Sequence, residues 1–231
     1  MYLYQNEDGF LFNSDAHFLY DFISRFKPKG EILDIGTGCG ILGLLTARDF
    51  ETNVTLIDKQ RTNYFLCLQN ARVNKLDANV ICDDFIDHNF DIKFDFIISN
   101  PPYYHQGASQ SENRYKKIGK SSLYLDFKEM VRKINSIIKP KGSFIFCYDA
   151  KQLPYVISTL IEKKFTVSDI RFVHGKKEKV AHLVLICAKK SSGSLCKTYP
   201  PLINFINGDL SEEVKSIYQK TRTYSIKCKI S

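Results

Sequence analysis

The sequence predicts an α/β fold built on a mostly parallel sheet, and three observations carry that expectation. Short β-branched or apolar runs alternate with helical stretches, as in strands joined by crossover helices. A glycine-rich turn, Gly36-Thr37-Gly38-Cys39-Gly40, separates the first buried run from the first such helix. Later, two long apolar runs, Phe165 to His174 and Ala181 to Lys189, are separated only by the charged turn Gly175 to Lys179. So short a connection requires that they pair antiparallel.

Taken in order, Glu31 to Gly36 reads as the first buried strand and Ile41 to Asp49 as its helix. Asn53 to Asp58 is a second strand, with Arg61 to Asn74 as its helix. Asn79 to Asp84 is a third strand and Phe94 to Ser99 a fourth. A polar loop then runs from Tyr104 to Ser121. Leu123 to Ile138 has helical periodicity and stops at Lys139-Pro140-Lys141-Gly142, where proline and glycine end a helix. Ser143 to Tyr148 is the fifth strand and Pro154 to Lys163 the next helix. With 231 residues the chain buries a full core and is expected to form a single domain. Within it, 1–29 covers the ligand pocket, 30–190 forms the core and 191–231 is a C-terminal extension.

Composition narrows the classes. Hydrophobic residues at 44% and charged residues at 25% are ordinary for a globular protein. No apolar run reaches the ~20 residues of a membrane-spanning helix, and Met1 to Phe12 lacks a secretory core, so the expected location is cytoplasmic. Seven cysteines and five histidines show no metal-ligand spacing, and no metal is expected. The net charge of +8 suits a polyanionic partner. Positive charge gathers at Arg114 to Lys120, at Lys176 to Lys179 and from Lys220 to Lys229.

Two motifs carry chemistry. Asn100-Pro101-Pro102-Tyr103 closes the fourth strand. Two prolines stop a strand abruptly and leave a rigid ledge bearing one amide, backbone carbonyls and an aromatic face. The Asn100 amide oxygen and a proline carbonyl suit the two hydrogens of an exocyclic amine, whose ring stacks on Tyr103. Such an amine is a poor nucleophile because its lone pair is delocalised, and two fixed acceptors favour its pyramidal, reactive geometry. The plain alternative is a strand followed by a proline turn.

The second motif is Asp34-Ile35-Gly36-Thr37-Gly38-Cys39-Gly40, with Asp58 ending the second strand and Asp83-Asp84 the third. Glycines here let a ligand approach the backbone beside a helix N-terminus. Gly38 to Gly43 also satisfies the dinucleotide fingerprint, which keeps that reading open. Asp34 discriminates, since a carboxylate before the glycines is awkward beside a pyrophosphate but helpful beside the cationic amino-acid end of S-adenosylmethionine. Asp58 fits ribose hydroxyls, and Asp84 is preferred over Asp83 as acceptor for an adenine amine. Cys39 and Cys82 flank this site and read as packing residues.

With these residues in this order, the sequence resembles the class I S-adenosylmethionine-dependent methyltransferases from about Phe10 to Lys190. The resemblance implies a Rossmann-like, seven-stranded, mostly parallel sheet with an antiparallel last strand, and methylation of an exocyclic or amide nitrogen. Within that class the chain is most similar to the bacterial tRNA (adenine-N6)-methyltransferases acting at position 37 beside the anticodon. Gly9 to Ala16, Val173 to Lys176 with Ala181 to Ile186, and Tyr199 to Ile203 carry that narrower likeness. It implies a tRNA partner. Arg114, Lys116, Lys117 and Lys120 follow the Asn-Pro-Pro-Tyr ledge in sequence and are expected to meet phosphates near an unstacked adenine. The alternatives are a protein N5-glutamine methyltransferase, an rRNA or DNA adenine methyltransferase, and a non-catalytic binding module. Oligomeric state is not legible in the sequence.

Overall fold

The computed structural model describes residues 1–9, 11–101 and 126–229. The chain opens with strand β1 (Tyr2–Asn6) and helix α1 (Ser14–Ser24), capped by the Asn13 side chain on the Asp15 N–H. The core then alternates β2 (Gly30–Ile35), α2 (Ile41–Asp49), β3 (Thr52–Asp58), α3 (Arg61–Val73), β4 (Asn79–Cys82) and β5 (Phe94–Ser99). After α4 (Phe127–Ile137) come β6 (Ile138–Asp149), α5 (Leu153–Glu162), β7 (Phe165–Lys176) and β8 (Ala181–Lys190).

These strands lie in the order β4-β3-β2-β5-β6-β8-β7, and β8 alone runs against its neighbours. The expected seven strands and the antiparallel hairpin are therefore present. Side chains alternate between two cores. On β6, Ile145 and Cys147 pack with α1, α2 and α3, while Phe144, Phe146 and Tyr148 pack with α4 and α5. Strands buried on both faces read as continuous apolar runs, which is why β2, β5 and β6 were legible.

The boundary between α4 and β6 differs from the sequence reading. Helix α4 does stop before Pro140, but β6 begins at once, with Ile138 pairing Phe94 and Ser143 pairing Phe96. The intervening residues form a bulge in which Lys141 takes a φ of 64°. Asp95 ties it down by accepting from Lys139 Nζ at 2.8 Å and from the Glu31 N–H at 2.9 Å. Proline is tolerated because a bulge does not require its missing donor. The predicted helix start at Leu123 lies outside the described residues.

The C-terminal segment extends the sheet. Strands β9 (Lys197–Thr198) and β10 (Leu202–Ile206) both run parallel to β7, and β11 (Asp209–Leu210) closes a hairpin on β10. Helix α6 (Glu212–Thr221) is capped by Ser211, carries Glu212 and Glu213 in its first turn, and buries Val214, Ile217 and Thr221. Arg171, nearly fully buried, holds it through Glu213 at 2.6 Å and the Pro200 carbonyl at 3.1 Å. The chain ends on β12 (Tyr224–Cys228), which returns to pair in parallel with β1.

The other edge of β1 is satisfied by side chains. Asn74 accepts from the Tyr2 N–H and donates to the Tyr2 carbonyl, at 2.9 and 2.6 Å. One turn earlier, Asn70 does the same for Tyr4 at 2.8 and 3.1 Å, and also donates to the Cys39 carbonyl at 2.8 Å. Two amides four residues apart on α3 thus imitate a neighbouring strand, and the buried one fastens β1 to the glycine loop. Truncating Asn70 leaves buried donors and acceptors without partners. Asn70→Ala should therefore lower the stability to urea by about 2 kcal/mol, whereas an unchanged unfolding midpoint would contradict this account.

Candidate active site

The sheet reverses its winding between β2 and β5, so the loops leaving their carboxyl ends diverge and open a crevice. Ligands of open α/β sheets bind at such a point. Ile35 pairs with Ser99, and the Ser99 hydroxyl donates to the Ile35 carbonyl at 2.9 Å. Asn100 therefore leaves β5 directly beside the residue from which the glycine loop leaves β2.

Asp34, the penultimate residue of β2, is 1% exposed. Its Oδ2 accepts from Thr37 Oγ1 at 2.6 Å and from the Gly43 N–H at 3.0 Å, clamping the loop to helix α2. Its Oδ1 is buried and has no hydrogen-bond partner among the described residues. Burial pushes the carboxyl up to about 7, against the two hydrogen bonds that favour its charged form. A buried oxygen left open in this way suits a donor or cation brought by a ligand.

The loop supplies the space. Gly36 and Gly38 have φ of 62° and 60°, the left-handed region that favours glycine, and a Cβ on either would meet nothing within 4 Å. The Gly36 and Thr37 N–H groups donate to the Ile57 carbonyl at 3.0 and 3.2 Å, anchoring the loop to β3. Gly40 also has a left-handed φ, at the N-cap of α2. At Gly43 a Cβ would meet Leu56 Cδ2 at 2.2 Å, so this glycine allows α2 to press onto β3.

Asp58 ends β3 and faces the same loop. Its Oδ2 accepts from the Gly38 N–H and from Asn63 Nδ2, both at 3.0 Å, and its Oδ1 from the Gln60 N–H at 2.9 Å. Burial raises its pKa, opposed by those bonds. The Asp83 N–H donates to the Asp58 carbonyl, which places the end of β4 next in line. There Asp83 turns to His88 Nδ1 at 2.8 Å, and that contact holds its carboxyl below the usual range. Asp84 caps the Ile86 N–H at 2.9 Å and lies 3.7 Å from Lys59 Nζ.

Asp34, Gly36, Gly38, Gly40 and Asp58 thus form one hydrogen-bonded cluster, with Asp83 and Asp84 at its β4 side and Asn100 across the crevice. Pro101 is buried. Pro102, Tyr103, Arg114, Lys116, Lys117 and Lys120 lie outside the described residues. One reading is corrected: Cys39 is buried, as a packing residue should be, but Cys82 is exposed because β4 is the sheet edge. Burial pushes the Cys39 thiol up to about 12, leaving it an inert filler.

Sequence reasoning missed several contributors. Thr37 and Asn63 brace the two aspartates, and the Cys67 thiol donates to the Gly38 carbonyl at 3.2 Å. The Cys147 thiol, on β6, donates to Asn100 Oδ1 at 3.0 Å. Register would have found Cys147, since Ser99 pairs with Phe146 and each chain advances one residue.

The cluster offers an open carboxylate oxygen, a glycine cradle and further carboxylates in a row, which fits a ligand with a cationic end and a nucleoside. The methyltransferase small domain family matches residues 15–170 of the chain. The chain is 25% identical to a tRNA1(Val) (adenine(37)-N6)-methyltransferase of Shewanella woodyi, covering 72% of this chain and 71% of that protein. A protein of the same name from Shewanella sediminis is 25% identical over 80% of this chain and 81% of its own. Among solved structures, a predicted O-methyltransferase from Agrobacterium tumefaciens superposes with a TM-score of 0.71 at 18% identity, covering 92% of this chain and 99% of that one. The 16S rRNA N2 G1207 methyltransferase of T. thermophilus, solved with AdoMet and guanosine, gives 0.58 at 21% identity, over 80% and 45%. The chain belongs to the methyltransferase small domain family and is an S-adenosylmethionine-dependent methyltransferase.

Proposed function

We propose that the chain methylates the exocyclic N6 amine of an adenosine in tRNA, at position 37 beside the anticodon. The observation that carries this reading is the position of Asn100. Its amide stands across the switch point from the glycine loop, at the end of a strand that stops in two prolines. The names of the Shewanella relatives support the choice of base and position.

When bound, S-adenosylmethionine supplies a methyl group on a sulfonium sulfur, which makes it electrophilic. The chain's own residues bind, orient and hold protons. Asp34 Oδ1 holds the ammonium end of the cofactor, Gly36, Gly38 and Gly40 admit it to the backbone, and Asp58 takes the ribose hydroxyls. Asp84 accepts from the cofactor's adenine amine, with Asp83 held aside by His88. On the substrate side, Asn100 Oδ1 and the Pro101 carbonyl accept the two N–H bonds of the target amine. Pro102 stiffens the ledge and Tyr103 stacks the flipped base. Cys147 positions Asn100 by donating its thiol to Oδ1, which orients the amide at the end of β5.

Three outcomes follow. Methyl label transferred from S-adenosylmethionine into unmodified tRNA should appear as N6-methyladenosine on nucleoside analysis; label in protein, or in another nucleoside, would refute the assignment. Cys147→Ala should lower kcat by about tenfold with the cofactor KM unchanged, and Cys147→Ser, which keeps a donor, should recover most of it. If Ala and Ser variants behave alike, the thiol has no positioning role.

The third concerns pH. The carboxyl of Asp34 titrates at about 7 when folded, against an ordinary value of 3.8. Unfolded chains therefore release this proton first, and the ligand-free protein loses stability as pH rises from 3.8 towards 7, levelling above it. Thermal melts should show that slope flattened in Asp34→Asn, and an identical slope in the variant would contradict the assignment.

A further inference from the structure

The exposed face of helix α3 repeats at helical spacing. Arg61, Phe65, Leu68 and Arg72 fall three or four residues apart, and all four side chains are exposed. Beside them lies the outer face of the β1–β12 ribbon, where Tyr2 and Tyr224 are 54% and 61% exposed with ring centroids 5.4 Å apart. Between helix and ribbon runs a groove of about 420 Å³, lined by Tyr4, Phe65, Leu68, Arg72 and Cys228 among others. None of this surface takes part in the cofactor cluster.

Its chemistry is not that of a plain apolar face. Arg25, Arg48, Arg132 and Arg171 each make an ion pair with a carboxylate. No carboxylate lies within ion-pair distance of Arg61 or Arg72 among the described residues. Arg61 lies over the Phe65 ring, 5.5 Å from its centroid, and Arg72 lines the groove. Aromatic rings interleaved with unneutralised arginines match a polyanion that also presents flat faces, because bases stack while phosphates meet the guanidinium groups. A second protein copy would have to bury those charges without partners, at a cost in desolvation.

The groove is also joined to the site. Arg61 is the first residue of α3, three positions after Asp58. The opposite, buried face of the same helix braces the glycine loop through Cys67 and Asn70. We infer that this groove is a second RNA contact, seating an unpaired stretch of the tRNA substrate away from the target base. The inference rests on the tRNA reading above and adds a surface that the site residues do not include.

The test uses the full chain, unmodified tRNA transcript and the Phe65→Ser and Arg72→Gln variants, both exposed positions. The expected result is a KM for tRNA raised by about tenfold in Phe65→Ser, with kcat at saturating tRNA and cofactor affinity unchanged. In Arg72→Gln the slope of log binding constant against log salt should shrink by about 0.7. Variants that bind and methylate tRNA as the parent does at every salt concentration would overturn the groove and leave the tRNA reading standing. A parent that sediments as a dimer, and variants that sediment as monomers, would assign the face to a second copy and overturn it too. A parent that neither binds nor methylates tRNA would remove the reading beneath both.

Discussion

One carboxylate joins the parts of this molecule that chemistry requires to be together. Asp34 Oδ2 holds the loop through Thr37 and the helix through the Gly43 N–H, while the same side chain grows from the central strand. Strand, loop and helix are thereby fixed to one another within a single residue's reach. The second oxygen is buried and unmet among the described residues, which is costly unless a ligand meets it. That cost is consistent with a site built for a cation, and the raised pKa has the same physical origin.

The switch point supplies the other half. Parallel pairing of β2 with β5 aligns Ile35 with Ser99, so the glycine loop and Asn100 leave adjacent strands at the same height. Neither motif specifies this by itself. The register follows from burial on both faces, because a slip of one residue would exchange the two cores. Helix α3 then ties the arrangement to the chain ends. Its buried amide reaches both the loop and β1, and β1 in turn holds β12.

Much of this was legible because it rests on local signals. The core strands and their helices read from apolar runs, and α2 and β5 were bounded to the residue. Glycines with open space at Cβ, and carboxylates at strand ends, were visible as types in sequence. What escaped was non-local. β1 and β12 are short, half-exposed strands that pair with each other, β1 being held on its other edge by Asn70 and Asn74. Strands β9 to β11 are two to five residues long, below what alternation can reveal. Likewise, Cys82 read as core because its neighbours are apolar, whereas its strand is the sheet edge. Asn63 and Cys147 lie in no motif and Thr37 fills an unspecified position of one, and their partners become known only once loops and register are fixed.

The central claim is a division of labour, in which Asp34 and Asp58 hold the cofactor while Asn100 serves the amine. The direct measurement is the cofactor dissociation constant of Asn100→Ala beside its single-turnover rate of methyl transfer. The account predicts a dissociation constant within about twofold of the parent and a rate reduced by about 10²–10³, as for removal of one preorganised group that acts in the transition state. A variant that transfers methyl groups at the parental rate, or loses rate only in proportion to cofactor affinity, would contradict it.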